Sequence, residues 1–213
     1  MPLNKLKPSI IIIHGGNSYF SQAEYLADLE RFEPRFRDGY VDWKAHIILE
    51  LSSLYQVLAP QMPSKDNAKY AEWKLVFEKV LKMEQVTPDI ILIGHSLGAN
   101  FLQKYLGETS LTDFNKNLVE LHLVSGCLSE GDFVETQDWS SISNQTKQIY
   151  IWHSEDDRVV SVAEAHEYQS KLRGSKLHLF QDKGHMNQEY FPELVGHLVN
   201  LATTHQSTSH MAS

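Results

Sequence analysis

Six short runs of apolar and β-branched residues recur along the chain, and stretches with helical spacing lie between most of them. The runs span residues 9–13, 55–59, 89–93, 119–125, 148–153 and 176–180. Between the second and third runs, apolar residues recur at spacings of three and four from Tyr70 to Leu81. Strands that alternate with helices form a parallel sheet covered by helices on both faces. The pattern therefore predicts an α/β fold with a mostly parallel sheet of about six strands.

Two pairs of residues predict helix starts, namely Ser21 with Glu24 and Ser161 with Glu164, since each pair has capping-box spacing. The length of 213 residues suits one sizeable core better than two. We therefore expect a single domain over residues 1–202. Residues 203–213 are polar and unpatterned, and the last of them resemble an expression tag, so we expect a disordered tail outside the fold.

The composition of the chain favours some classes of binding partner over others. The formal net charge is −8, which disfavours nucleic acid and anionic membranes because both reward a surplus of Lys and Arg. Cys127 is the single cysteine, so no internal disulfide can form and a reducing compartment is expected. The four isoleucines before His14 are too few for a signal-peptide core or a membrane span. We expect a cytoplasmic protein that acts on a small molecule.

Polar residues follow four of the apolar runs directly or closely. In a parallel sheet, ligands bind at the carboxyl ends of the strands, so these segments are expected to share one rim. They contain two serines, several carboxylates and histidines, and are residues 14–17, 94–98, 153–157 and 184–185.

The segment "ILIGHSLGAN" places Ser96 between an apolar strand and a helical stripe, with Gly94 and Gly98 on either side. This is the G-x-S-x-G pattern of a nucleophile elbow, in which glycines remove Cβ atoms that would crowd a strained serine. The backbone N–H of Leu97 would then face a developing oxyanion at the helix N-terminus. The alternative is an ordinary strand–helix turn with a capping serine.

The sequence resembles the α/β-hydrolase superfamily, and within it the small serine hydrolases of the bacterial YdeN type, related to retinoblastoma-binding protein nine. The resemblance covers residues 9 to about 200. It is carried by "IIIIHGGN", "YQVLAPQMP", "DIILIGHSLGAN", "HSEDDRVVS" and "DKGHMN". It implies a single-domain hydrolase fold without a large lid and a Ser-Asp-His triad in that chain order.

The resemblance places the triad base at His185, which follows Gly184 in a loop after the last strand. Gly184 would leave the imidazole room to reach Ser96. The acid stands before a residue-Val-Val run in the family pattern, which favours Asp157; Asp156 and Glu155 remain alternatives. At least one of these acids is expected to cap the helix that begins near Ser161 instead.

The glycines after the first strand indicate the second oxyanion donor. The backbone N–H of Gly16 or Asn17 would stand beside that of Leu97, although two glycines also suit a plain tight turn. The predicted substrate-binding residues near this loop and after the second strand are His14, His95, Tyr19, Phe20 and Met62, with Pro60 and Pro63 beside them.

Four histidines that could share the rim are candidate metal ligands, namely His14, His95, His153 and His185. The H-E-x-x-H and H-x-H-x-D patterns of zinc hydrolases do not occur, nor do the glycine-rich loops that bind nucleotide phosphates. The sequence therefore predicts no metal and no cofactor.

The stretch between the fourth and fifth strands has room for a helix and loops but not for a large lid domain. An active site without a large hydrophobic lid disfavours aggregated lipid as substrate. The sequence thus predicts a serine hydrolase that cleaves small carboxylic esters through an acyl-enzyme on Ser96. An amidase or aminopeptidase-like hydrolase would use the same residues. A hydrolase-fold binding protein with an idle triad is the alternative from another class.

Overall fold

A computed structural model describes residues 7–33 and 41–210, and within them one six-stranded sheet in which all neighbouring strands are parallel. The strand order is β2-β1-β3-β4-β5-β6. The strands are β1 (Ser9–Ile13), β2 (Gln56–Leu58), β3 (Asp89–His95), β4 (Asn117–Val124), β5 (Thr146–Ser154) and β6 (Lys176–Phe180). Each predicted run thus coincides or overlaps with one strand, and the predicted sheet is confirmed.

Seven α-helices lie within the described residues. They are α1 (Gln22–Arg31), α2 (Trp43–Leu51), α3 (Tyr70–Leu81), α4 (Leu97–Glu108), α5 (Trp139–Gln145), α6 (Val162–Lys171) and α7 (Pro192–His210). A short 3-10 helix at Leu111–Phe114 joins α4 to β4. In the part of the chain that the structure describes, no helix is long and apolar enough to cross a membrane.

The four isoleucines of β1 show why the sheet is covered on both faces. Ile11 and Ile13 pack into one core with side chains of α3, α4 and α6, whereas Ile10 and Ile12 pack into a second core with side chains of α2 and α7. Successive side chains of a strand point to opposite faces, so an unbroken apolar run requires two apolar layers. Burying each isoleucine contributes about 1.5–3 kcal/mol.

Both predicted helix starts carry a serine cap. Ser21 Oγ accepts the N–H of Glu24, and Glu24 Oε2 accepts the N–H of Phe20. Ser161 Oγ accepts the N–H of Ala163, but Glu164 accepts the N–H of Leu128 instead of closing a capping box. The second helix start therefore also fastens the segment that follows β4.

Two segments bear on the predicted boundaries. The helix α7 continues to His210, so residues 203–210 are helical where the sequence suggested an unpatterned tail. Residues 125–145 between β4 and β5 hold α5 and an isolated bridge between Glu130 and Phe133, with no lid domain. The fold is the single-domain, lid-free architecture that the sequence predicts.

Candidate active site

Ser96 stands at the junction of β3 and α4 with a strained backbone. Its φ of 54° and ψ of −123° lie outside the regions that ordinary residues prefer, and its N–H donates to the carbonyl of Val124 at 2.9 Å. The residue is 8% exposed and lines a pocket. This is the geometry expected of a nucleophile elbow.

The flanking glycines are required by close backbone approaches. A Cβ on Gly94 would lie 2.6 Å from the carbonyl oxygen of Gly98, and a Cβ on Gly98 would lie 2.3 Å from that of Ile13. The elbow is therefore wedged against the end of β1. Gly15 approaches Ser96 from the other side, where an added Cβ would lie 3.0 Å from the Ser96 Cβ.

His185 bridges Ser96 and Asp157. Its Nδ1 lies 2.9 Å from Asp157 Oδ2 and its Nε2 lies 2.9 Å from Ser96 Oγ. An ionised carboxylate only accepts hydrogen bonds, so Nδ1 carries the proton of a neutral ring. The lone pair of Nε2 then faces the serine hydroxyl. The imidazole is thus oriented to take the proton of Ser96.

The side chain of Asp157 is fully buried and receives three hydrogen bonds. Oδ1 accepts the N–H groups of Val159 at 2.8 Å and Val160 at 3.0 Å, while Oδ2 faces His185. Burial alone would raise the pKa of Asp157, but the bonds from Val160, His185 and Val159 together hold it below its ordinary value. The carboxylate is therefore charged at neutral pH.

Asp156 has a different place. Its Oδ1 accepts the Ser154 hydroxyl at 2.6 Å and the Gly184 N–H at 2.8 Å, and these two bonds lower its pKa. Ser154 Oγ in turn accepts the N–H of Lys183. Asp156 therefore ties the loop that carries His185 to the end of β5, while Asp157 alone of the two reaches the imidazole.

The loop of His185 is anchored on its other side as well. His95 Nε2 donates to the His185 carbonyl at 3.0 Å, and Trp43 Nε1 donates to the Met186 carbonyl at 2.8 Å. Gly184 adopts a φ of +51°, and no atom lies within 4 Å of a Cβ built on it. The sequence suggested that Gly184 gives the imidazole room, but the structural need is for left-handed backbone.

The two predicted sources of a second oxyanion donor differ in availability. The N–H of Asn17 donates to the Lys65 carbonyl at 2.8 Å, whereas Gly16 lines the pocket beside Ser96. Leu97 is the first residue of α4, so its N–H has no partner within the helix. The geometry favours Gly16 with Leu97 over Asn17.

His14 fastens this loop. Its Nε2 accepts the N–H of Met62 at 2.8 Å, so Nδ1 bears the proton and donates to the Gly15 carbonyl at 2.6 Å. Holding the Gly15 carbonyl fixes the plane of the peptide that ends in the Gly16 N–H. Burial lowers the pKa of His14, which keeps the ring neutral for this task.

A pocket of about 540 Å³ opens over Ser96 and His185. Among the predicted substrate-binding residues, His14, His95 and Pro60 line it. Met62 is buried beneath the loop, Tyr19 hydrogen-bonds to Asp28, and Phe20 is 74% exposed; these side chains are not part of the lining, and neither is Pro63.

Comparisons with known proteins identify the family of this chain. The model of a family described as serine hydrolase matches residues 37–192, which span the serine, the carboxylate and the histidine. The chain belongs to the serine hydrolase family. The serine hydrolase RBBP9 of Rattus norvegicus is 30% identical over 150 residues, covering 66% of this chain and 75% of that protein.

Solved structures support the same fold for this serine hydrolase. The ydeN gene product of B. subtilis has a TM-score of 0.68 at 17% identity, covering 91% of this chain and 98% of that one. The esterase EaEST of Exiguobacterium antarcticum has a TM-score of 0.59 at 14% identity, covering 92% of both chains. The resemblance to YdeN-type α/β hydrolases is thereby confirmed.

Several residues of the serine hydrolase pocket were missed at the sequence level. Asp42, Lys44, Lys65, Glu130 and Asn187 all line it. Lys44 comes from α2 and Glu130 from the segment after β4, whereas Asn187 lies in the loop of His185, two residues beyond it. Spacing along the chain carries no signal for such residues.

The histidines considered for a metal are each engaged by protein groups. His95 and His14 hold backbone groups, and His153 donates from Nε2 to the Val160 carbonyl at 3.0 Å, with the same nitrogen 3.5 Å from Asp157 Oδ2. His153 is thus packed behind the carboxylate that faces His185.

A separate cluster of Glu120, His122 and His197 offers three ligand atoms within 4.8 Å of one another. However, Trp152 Nε1 donates to His122 Nδ1 at 3.1 Å, so Nε2 must carry the ring proton and donate to Glu120. A metal-bound imidazole needs the opposite arrangement, with a proton on the nitrogen that does not bind the metal. The described side chains therefore form a hydrogen-bonded cluster that does not fit a metal ion.

Proposed function

We propose that this serine hydrolase cleaves small carboxylic esters through an acyl-enzyme intermediate on Ser96. The observation that carries the proposal is the row of hydrogen bonds from Ser96 through His185 to Asp157, with Ser96 strained at the elbow and facing the pocket. In this proposal Ser96 is the nucleophile, His185 the general base and Asp157 the acid, as the sequence predicts.

In the first half-reaction, His185 Nε2 accepts the hydroxyl proton as Ser96 Oγ attacks the ester carbonyl carbon. The carbonyl oxygen becomes an oxyanion that accepts hydrogen bonds from the N–H groups of Leu97 and Gly16. Asp157 stabilises the imidazolium. Collapse of the intermediate breaks the bond to the alcohol, which leaves with the proton from His185.

In the second half-reaction, water gives a proton to His185 and adds to the acyl carbon on Ser96. The second oxyanion collapses, Ser96 Oγ recovers the proton from His185, and the carboxylic acid leaves. Atoms and charge balance with one ester and one water giving one acid and one alcohol.

The pocket supports small polar substrates. Apolar side chains such as Ile48, Ala59, Pro60 and Val159 line part of it, and polar and charged groups line the rest. Residues 125–145 supply no lid to cover a long acyl chain. Esters of acids with roughly two to six carbons are therefore the expected substrates.

The deciding experiment combines p-nitrophenyl acetate turnover with labelling by a fluorophosphonate probe, the adduct being mapped by mass spectrometry. Ser96→Ala should abolish labelling and lower kcat by about 10⁴ or more without unfolding the protein. Ser170→Ala is the matched control, because Ser170 is exposed on α6 away from the pocket. Labelling of another serine, or unlabelled protein with no turnover, would reject the proposal.

A further inference from the structure

Four charged side chains line the pocket, and three of them are engaged within the protein. Asp42 and Lys44 form an ion pair at 2.6 Å. Glu130 accepts the Ser18 N–H at 2.9 Å and the Cys127 thiol at 3.6 Å, and burial raises its pKa. The charges of Asp42 and Lys44 compensate each other, and the Glu130 carboxylate is held by hydrogen bonds from the protein.

The fourth charged side chain, Lys65, is exposed and forms no ion pair with any carboxylate among residues 7–33 and 41–204. Of the two lysines in the pocket lining, Lys65 is therefore the one without a described counter-ion. Glu130 also forms no described ion pair, but hydrogen bonds from Ser18 and Cys127 hold it in place. The whole chain is acidic, with a formal net charge of −8. A free cation in the pocket of an acidic protein is a local feature that the overall charge does not explain.

The backbone of Lys65 is fixed against the oxyanion loop. The Lys65 carbonyl accepts the Asn17 N–H at 2.8 Å, and the Asn17 carbonyl accepts the Ala68 N–H at 2.8 Å. The approach is so close that a Cβ on Gly16 would lie 2.3 Å from the Lys65 carbonyl oxygen. Lys65 is thus held beside the peptide that would bind the substrate carbonyl.

The charges at this end of the pocket reach the loop. Burial is the main reason that the pKa of His14 is lowered, and the positive charges of Lys65 and Lys44 act in the same direction. The negative charge of Asp42 acts in the opposite direction and is the smallest of these causes. The two lysines therefore lie close enough to His14 for their charges to act on it, and a substrate whose carbonyl enters the oxyanion loop lies near the same charges.

We propose that the pocket selects esters that carry a carboxylate within a few bonds of the scissile carbonyl, with Lys65 as the residue that binds this carboxylate. The proposal rests on ester hydrolysis at Ser96. Since Lys65 is exposed and its charge is screened by water, we expect a preference of about five- to tenfold in kcat/KM, expressed mainly in KM.

The test compares esters matched in size. Monoethyl succinate against ethyl butyrate places the carboxylate on the acyl side, and carboxymethyl butyrate against propyl butyrate places it on the alcohol side. A preference for the anionic ester in either pair supports the proposal and locates the carboxylate. The preference should shrink as salt is added, because ions screen an exposed charge.

Variants of Lys65 assign the effect. Lys65→Met should remove the preference, Lys65→Glu should reverse it, and Lys65→Arg should keep it, since only the charge is required. Lys147→Met removes an exposed charge at the opposite end of β5, outside the pocket, and should keep both activity and preference.

The outcomes separate this inference from the proposed function. Equal kcat/KM for anionic and neutral esters, with Ser96 still labelled by the fluorophosphonate probe, would overturn the role of Lys65 and leave ester hydrolysis standing. A preference unchanged in Lys65→Met would also overturn it. Failure to hydrolyse any ester together with failure of labelling would reject both.

Discussion

Among the described residues, two clusters pair histidine with a carboxylate at hydrogen-bond distance, and only one of them has the geometry of a catalytic base. At the rim, His185 contacts Asp157 at 2.9 Å. Within the sheet, Glu120 Oε2 lies 3.0 Å from His122 and 2.8 Å from His197. The contact distances are nearly equal, so the carboxylate–imidazole pair alone does not distinguish the two clusters.

The second ring nitrogen makes the difference. In His185 it presents a lone pair to the Ser96 hydroxyl at the floor of an open pocket. In His122 the corresponding lone pair already accepts the indole N–H of Trp152, and the ring is stacked on Tyr150 with no exposed surface. A histidine with both nitrogens committed to the protein can neither take a proton from a substrate nor reach one.

The clusters also differ in what they connect. The rim cluster joins loops after β3, β5 and β6. The sheet cluster joins β4 to α7 through His197, the helix that covers one face of the sheet. The first arrangement can support chemistry, and the second holds a helix to the core.

The largest contrast is expected between the adjacent acids of the rim. Asp157→Asn keeps the shape but removes the charge that fixes the His185 tautomer, and should lower kcat by about 10⁴, the effect known for this change in a serine protease triad. Asp156→Asn weakens the tie to Gly184 and should lower kcat roughly tenfold through a misplaced imidazole. Steady-state kinetics of both variants on one ester at one pH measure the asymmetry.

Fluorophosphonate labelling checks the same contrast without substrate turnover. Asp156→Asn should still label Ser96, more slowly than the wild type, and Asp157→Asn should label far more slowly. Equal losses in the two variants would mean that the two carboxylates act together, and a dead Asp156 variant beside an active Asp157 variant would move the acid one residue earlier.

The rim was predictable because its residues follow apolar strands. Ser96 and the acids after β5 come directly after buried strands, and parallel strands bring their carboxyl ends to one edge. The choice between Gly16 and Asn17 was not predictable, since it depends on a hydrogen bond from Asn17 to Lys65. That bond joins segments far apart in the chain, and no local pattern encodes it.

The sequence of β4 contains a pattern that indicates the sheet cluster. In β4, Glu120 and His122 alternate with apolar residues on a strand paired on both edges. Polar side chains at period two on a central strand must find buried partners, because burial without hydrogen bonds is costly. The partners Trp152 and His197 come from β5 and α7, and only the folded chain identifies them.

The sheet cluster is expected to contribute to stability and not to catalysis. Glu120→Ala removes the acceptor shared by His122 and His197 and leaves buried N–H groups without partners. The free energy of unfolding should fall by about 1.5–3 kcal/mol, the range for hydrogen bonds to a charged group. Fluorophosphonate labelling per folded molecule should remain that of the wild type, since the cluster does not contact Ser96.

Urea unfolding at pH 7 measures this loss, and Glu108→Ala is the matched control. Glu108 also contacts two side chains, Tyr70 and Lys104, but lies at the surface, so its removal should cost less than about 1 kcal/mol. Equal losses for the two glutamates would show that burial gives the Glu120 cluster no special weight. A loss of labelling in folded Glu120→Ala would break the division between the two clusters.

The smallest expected effect is the pH dependence of stability in the sheet cluster. Burial lowers the pKa of His122 from 6.5, so the unfolded chain takes up this proton first and stability falls as the pH drops below about 6.5. For Glu120, burial raises the pKa, but the hydrogen bonds from His122 and His197 outweigh it and lower the pKa to about 2. Its contribution is complete above about 4.5 and is lost as the pH falls towards 2. Each group therefore acts in its own pH range, where the free energy of unfolding changes by at most about 1.4 kcal/mol per pH unit for one proton.

Urea unfolding of the wild type, His122→Gln and Glu120→Gln at pH 7, 5.5 and 4 separates the two groups. His122→Gln should flatten the dependence of stability on pH between pH 7 and 5.5, and Glu120→Gln should flatten it mainly below pH 4.5. If His122→Gln leaves the upper slope unchanged, His122 takes up its proton equally in the folded and unfolded protein. The hydrogen bond from Trp152, which needs an unprotonated Nδ1, would then not be maintained.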